Sequence, residues 1–201
     1  MISNLFHVVL LCAGKNSRFD PTGTLSKLSQ IMQNQAMVAE KTASIYRSIG
    51  LPVTVVLRND LLNLQKRLST LDCNVLPTLP NQGLGQSIAH GVSHIPVGPQ
   101  RAWIIALGDM PFLRTDTLNK LIQTYTTLPQ NSVLAPTFEK QIGHPVFISI
   151  EHTDKLLELT KDQGPRELLK ASFSHFLEVN DPGIQMDIDY REDLAKTQHL
   201  D

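Results

Sequence analysis

A chain of 201 residues with 41% hydrophobic content can bury one well-cored domain but is short for two. Lys and Arg number 18 against 19 Asp and Glu, a formal charge of -1, so no global field gathers nucleic acid or an anionic membrane, and any anion has to be met by a local site. The two cysteines, Cys12 and Cys73, match no metal-ligand spacing and make no disulfide framework; the expected setting is a reducing cytoplasm.

The first element is FHVVLL, from Phe6. No Lys or Arg precedes it, the first being Lys15, and Leu11 stands where a lipoprotein-type cleavage would want a small residue. The run is also far short of the ~20 apolar residues of a membrane span, as is every other run, so it reads as a buried strand in a soluble protein. A polar loop follows, and then a helical pattern over 36–49, the strand VTVVL from Val53, a helix over 61–71 and a short strand at CNVL from Cys73. The alternation continues with a helix over 86–94, the strand AWIIAL from Ala102, a helix over 115–127 and the strand SVLAPT from Ser132. Strands apolar throughout predict a sheet covered on both faces: a three-layer, Rossmann-like α/β fold with a mostly parallel mixed sheet. After Pro136 the rhythm weakens. GHPVFISI reads as a strand of irregular connection, DKLLELT and PRELLKAS as short helices, and HFLEV as a late strand ending at the turn NDPG, the tail completing the same domain.

In open parallel sheets a ligand lies beyond the carboxyl ends of the strands, and there the unusual residues gather. The loop after the first strand holds Gly14, whose backbone freedom lets amides approach a ligand, and the cations Lys15, Arg18 and Lys27. That combination suits a polyphosphate. It is neither a Walker loop, since Val9 stands at the required glycine, nor a dinucleotide fingerprint, since Asn16 occupies the second glycine position. Asp109 sits at the tip of the buried strand in IIALGDMPFL, where one carboxylate facing a basic loop can hold magnesium together with phosphate oxygens and water. Thr115 or Asp116 is the better candidate to cap the next helix. In MDIDYREDL, Asp187 and Asp189 flank an apolar residue at strand alternation and so share a face, an arrangement that favours a cation between or beside them.

Other constellations carry less. His90 and His94 are four apart on a predicted helix but lack a third ligand. No Gly-x-Ser-x-Gly elbow occurs. Trp103, on a buried strand, reads as core.

The segments LCAGKNSRF…SKL, NQGLGQS, LGDMP, GHPVF, KDQGPREL and NDPGIQMDIDYREDL occur in an order that resembles MobA-like nucleotidyltransferases over nearly the whole chain, most closely their molybdenum cofactor cytidylyltransferase branch. The resemblance implies magnesium-dependent transfer of a nucleotidyl group, CMP from CTP in that branch, to the terminal phosphate of a molybdopterin-type acceptor with release of pyrophosphate. It implies one nucleotidyltransferase domain over 1–201, with a nucleotide-binding half to about 110 and an acceptor-binding half after it. It puts Leu11, Ala13, Gly14, Arg18, Lys27, Gly85, Ser87 and Asp109 on the nucleotide, with Arg18, Lys27 and Asp109 catalytic. Asp109 and Asp187 or Asp189 would hold the metal, and His144 and Arg166 would face the acceptor. A molybdoenzyme undergoing maturation is the implied protein partner. Guanylyl or sugar-phosphate transfer, or nucleotide binding without catalysis, are the alternatives. Three features depart from the family pattern: FDPTGTLS lengthens the spacer between Arg18 and Lys27, Tyr190 and Arg191 replace a threonine and a proline, and Lys161 stands where a glycine is usual.

Overall fold

The computed structural model describes residues 2–14, 16–78, 83–96, 98–161 and 163–194. Strand β1 (Phe6–Cys12) forms because its run of aliphatic residues can be covered on both sides, and alternation sends successive side chains into two cores. Phe6, Val8, Leu10 and Cys12 join one cluster, and Val9 and Leu11 the other. β2 (Val53–Arg58), β3 (Asn74–Thr78) and β4 (Ala102–Leu107) run parallel to it in the order β3-β2-β1-β4.

Helices fill the two outer layers. α1 (Val38–Ser48), α2 (Leu62–Thr70) and α4 (Thr115–Thr127) bury apolar stripes in the first cluster, with Ala43, Leu64 and Leu121 among the fully enclosed residues. α3 (Leu84–Ser93) covers the other face through Ile88 and Val92. Each enclosed leucine-sized side chain contributes ~1.5–3 kcal/mol, and Trp103, fully buried in the second cluster, donates its indole N–H to Thr153 Oγ1 at 2.9 Å.

The second half completes the sheet differently. β5 (Val133–Phe138) is followed by β6 (Gln141–Ile142) and β7 (Val146–Ser149), and β7 inserts antiparallel between β4 and β5. After α5 (Thr153–Leu157) and α6 (Arg166–Leu169), β8 (Ser174–Glu178) returns parallel to β5. The result is an eight-stranded, mostly parallel mixed sheet in a three-layer α/β fold. Among the described residues no helix is long and apolar enough to cross a membrane.

Three local expectations are corrected. α1 starts at Val38 rather than at 36, because Ile31 and Met37 pair as an antiparallel bridge that holds the chain extended up to the helix. Neither Thr115 nor Asp116 caps α4; Arg114 is the cap residue, and its own N–H is held by Asp181 Oδ2 at 3.0 Å. Residues 186–189 are not a strand, since no ladder forms there. They run past the end of β4 with one main-chain bond, Ile188 N–H to the Asp109 carbonyl at 2.9 Å.

Candidate active site

The chain leaves β1 toward β2 on one side, and the connection from β3 crosses back to place β4 on the other. The carboxyl ends of β1 and β4 therefore form the switch point of the sheet, where a crevice opens by topology alone. Gly108 makes the two ends meet closely: a Cβ there would lie 2.3 Å from Cys12 Sγ. Its N–H donates to the Leu11 carbonyl at 3.0 Å and its carbonyl accepts from Thr42 Oγ1 at 3.0 Å, so the segment carrying Asp109 is tied to both β1 and α1.

A cavity of about 380 Å³ occupies this crevice, and Leu11, Ala13, Gly14, Arg18, Lys27, Ser87, Asp109 and Asp189 all line it. Lys27 Nζ lies 2.7 Å from Asp109 Oδ2 and 2.6 Å from Asp189 Oδ1, while Arg18 Nη1 lies 2.6 Å from Asp189 Oδ2. The two cations thus contact the two acids directly. Burial pulls the Lys27 ammonium toward the neutral form, but Asp109 and Asp189 outweigh it and the pKa is raised. Burial likewise disfavours the Asp189 carboxylate, yet hydrogen bonds from Lys27 and Arg18 leave its pKa lowered. Asp187 goes the other way: partial burial and the charges of Asp189 and Asp109 raise its pKa against the opposing pull of Lys27.

One carboxylate oxygen from each of Asp109, Asp187 and Asp189 falls within 4.8 Å of the others. Asp109 Oδ1 is buried without a hydrogen-bond partner, a costly condition for a charged oxygen that coordination of a cation would relieve. An all-oxygen donor set of this kind fits a hard divalent ion.

The remaining assigned residues fall in different places. His144 precedes β7 and is level with the end of β4, because Val146 pairs with Ile105; its N–H donates to the Ile184 carbonyl at 2.8 Å and its Nδ1 is buried without a partner. Burial pushes its pKa below the ordinary histidine range, with Asp109 acting in the opposite direction. Gly85 does not line the cavity. A Cβ on it would sit 2.6 Å from the Gln163 carbonyl and 2.9 Å from that of Thr160, so the glycine is required where α3 packs against the loop that carries Leu159, Thr160 and Gln163. In that loop Lys161 has φ of 49°, keeping the left-handed backbone that a glycine would favour, and its carbonyl accepts from Gly85 N at 2.8 Å. Gly14 has open space around it, and Asn16 of the same loop takes left-handed backbone, with φ of 55°. Lys15, Asn81, Gln82 and the Arg166 side chain lie outside the described residues. His90 and His94 each contact backbone carbonyls and belong to no ligand cluster among the described residues.

Two residues went unassigned in the sequence. Asn16 and Asp20 organise the loop that carries Arg18 and Lys27. The available signals were the tolerance of asparagine for positive φ and the turn-forming pattern D-P-T-G-T.

Similarity to solved structures agrees with this architecture. A nucleotidyl transferase from Methanothermobacter thermautotroptrophicus (Mth528) superposes with a TM-score of 0.80 at 20% identity, covering 97% of this chain and 96% of that one. Rv0371c from Mycobacterium tuberculosis H37Rv, in a complex with manganese, gives 0.74 at 17% identity over 96% and 97% of the two chains. 4-Diphosphocytidyl-2C-methyl-D-erythritol synthase from Anaerococcus prevotii gives 0.71 at 13% identity over 97% and 96%. No curated protein matches the sequence. The family model of the MobA-like NTP transferase domain matches residues 8–177, and the chain belongs to that family.

Proposed function

We propose that the protein transfers a nucleotidyl group, CMP from CTP, to the terminal phosphate of a molybdopterin-type acceptor and releases pyrophosphate. The observation that carries this reading is the meeting of Arg18 and Lys27 with Asp109 and Asp189 in one cavity at the switch point of the sheet. Joining two polyanions demands that charge be neutralised and that the attacking oxygen be held in line with the bond that breaks. A phosphate oxygen of the acceptor attacks the α-phosphorus, the bond to the bridging oxygen of the β-phosphate breaks, and the electron pair leaves on pyrophosphate.

The acceptor phosphate is already anionic near neutral pH, so no side chain has to remove a proton. Arg18, largely exposed at the rim, offers a fork of donors to phosphate oxygens, and Lys27 offers a point charge from deeper in the cavity. Both would exchange a carboxylate partner for the triphosphate and the departing pyrophosphate. Asp109, with Asp187 or Asp189, would hold Mg²⁺, which when bound supplies charge stabilisation to the phosphoryl oxygens. A second hollow, lined by Asp187, Asp189 and Tyr190, lies against the acidic segment and shares Asp189 with the first.

The choice of CTP rests on the family resemblance and on Ala13. This residue is buried at the cavity wall, where guanylyl-transferring relatives tend to carry glycine, and we read its methyl group as crowding the space a purine would need. Loss of one buried hydrogen bond by the wrong base costs ~1–3 kcal/mol. CTP should exceed GTP in kcat/KM by at least about tenfold, equivalent to ~1.4 kcal/mol, and Ala13→Gly should narrow the gap. Measured with a molybdopterin acceptor, equal or better use of GTP overturns the cytidylyl assignment; transfer only to sugar phosphates overturns the acceptor assignment.

A further inference from the structure

We propose that Asp20 is a positioning residue for this reaction: its carboxylate folds the insertion between Arg18 and Lys27 into a closed loop that delivers the Lys27 ammonium to Asp109. The inference rests on the nucleotidyl-transfer reading for its catalytic consequence, although the placement itself is independent of that reading.

The lengthened spacer raises a physical problem. Residues 19–26 separate the two cations, and an open segment of that length spans up to roughly 30 Å at ~3.3–3.6 Å per residue. Both cations nevertheless end on the same carboxylate, Asp189. Something in the insertion must bring its ends together.

Asp20 is that element. It is only 3% exposed, and a buried carboxylate persists only when its oxygens are satisfied. Oδ1 accepts from Thr22 N at 3.2 Å and from Thr22 Oγ1 at 2.7 Å; Oδ2 accepts from Thr22 Oγ1 at 2.8 Å, Thr24 Oγ1 at 3.0 Å and Leu25 N at 2.7 Å. Each of these donors belongs to the insertion, so the carboxylate acts on that loop alone. The Thr22 hydroxyl first, and then the Leu25 N–H, hold its pKa well below the usual carboxylate range, which keeps the acceptor charged through mild acid.

The neck and floor of the loop complete the construction. The Asn16 carbonyl accepts from Phe19 N and Asp20 N, both at 3.0 Å, and Asn16 Nδ2 donates to Ser26 Oγ at 3.2 Å, joining the two ends just before Lys27. Phe19, 4% exposed, packs in a cluster with Met32, Val38 and Ile188. Ile188 lies between Asp187 and Asp189, so the loop is seated on the acidic segment its cations reach. Residues 21–25 stay exposed outside. Asp20 itself is not among the cavity-lining residues or the carboxylates of the acidic cluster, so its effect on chemistry passes through Lys27.

The experiment reads Lys27 directly. Purified full-length wild type, Asp20→Ala and Asp20→Asn are pulsed with acetic anhydride, and acetylation of Lys27 is followed by mass spectrometry beside melting temperature. Asp20→Ala should raise the Lys27 labelling rate at least about tenfold, with Asp20→Asn between, because the amide keeps one acceptor oxygen. Should Asp20→Ala fail to fold, Thr22→Val, which removes the hydroxyl shared by both carboxylate oxygens at an exposed position, is read in the same way. A lowered melting temperature with unchanged Lys27 labelling reduces Asp20 to a stabilising loop residue and overturns the proposal. In the kinetic arm, Asp20→Ala should lower kcat at least about tenfold in the wild-type background and have little further effect in Lys27→Ala; full additivity overturns it as well. Absence of turnover in wild type would count against the nucleotidyl-transfer reading, while the labelling arm would still decide the role of Asp20.

Discussion

Lys27 Nζ lies 2.7 Å from Asp109 Oδ2, so the strand-end carboxylate assigned to a divalent ion is in direct contact with a cation from the chain itself. An ammonium on Oδ2 opposes a metal ion on the unpartnered Oδ1 of the same carboxylate by like-charge repulsion, whereas a triphosphate offers the ammonium another anion. Metal and nucleotide binding should therefore be positively coupled. Lys27→Met should strengthen Mn²⁺ binding without nucleotide by at least about tenfold, ~1.4 kcal/mol, as followed by the EPR signal of free ion. A non-hydrolysable NTP analogue should strengthen it in wild type and do so much less in the variant. Weaker Mn²⁺ binding by Lys27→Met would show that the ammonium supports the ion rather than competing with it.

Arg18 tests the rim of the cavity. Its side chain is 69% exposed and contacts Asp189, a solvent-facing ion pair of the sort that contributes little to stability. Arg18→Ala should leave the melting temperature nearly unchanged while lowering kcat/KM at least about tenfold more than Lys15→Ala does. Small and equal effects of the two substitutions would mean that the loop is merely basic surface.

The pH dependence of stability should carry a histidine signature. His7 on β1 is drawn down by burial to about 4 and contacts Thr54 Oγ1 at 2.9 Å, whereas an unfolded histidine takes up its proton near ~6.5. Between those values the unfolded chain holds more protons, so this contribution is intact above ~6.5 and stability falls as pH drops toward 4. Buried His144 acts in the same direction. Melting temperatures of wild type and His7→Gln, compared from pH 7 to 4.5, should show a shallower decline in the variant; parallel curves would remove His7 from the account.

What was legible in the sequence follows from how local each signal is. β4 and α4 occupy the predicted ranges, 102–107 and 115–127, because an unbroken apolar run and a helical stripe are local patterns. The insertion of β7 between β4 and β5 depends on pairing with strands distant in sequence, and periodicity carries no trace of it. The 187–189 segment shows both sides. Its strand assignment fails, yet Asp187 and Asp189 each bring a carboxylate oxygen to the same cluster as Asp109, with Ile188 between them buried. The contacts of Lys27 with Asp109 and Asp189 were invisible: reading by residue type sends cations to phosphates and acids to metal. The closed loop around Asp20, its neck at Asn16 and Ser26, and the packing of Phe19 on Ile188 bring the two sets together.

Whether the cavity joins a nucleotide to a phosphate acceptor is decided by transfer of an α-³²P label from CTP to a molybdopterin-type acceptor, followed alongside pyrophosphate release. Wild type with Mg²⁺ should transfer label and release pyrophosphate in equal amounts. Asp109→Asn, nearly the same size and with an unchanged melting temperature, should lose at least about a hundredfold in rate. Saturable binding of all four NTPs with no pyrophosphate released in the presence of a panel of phosphate acceptors, or near-wild-type transfer by Asp109→Asn, would contradict the account.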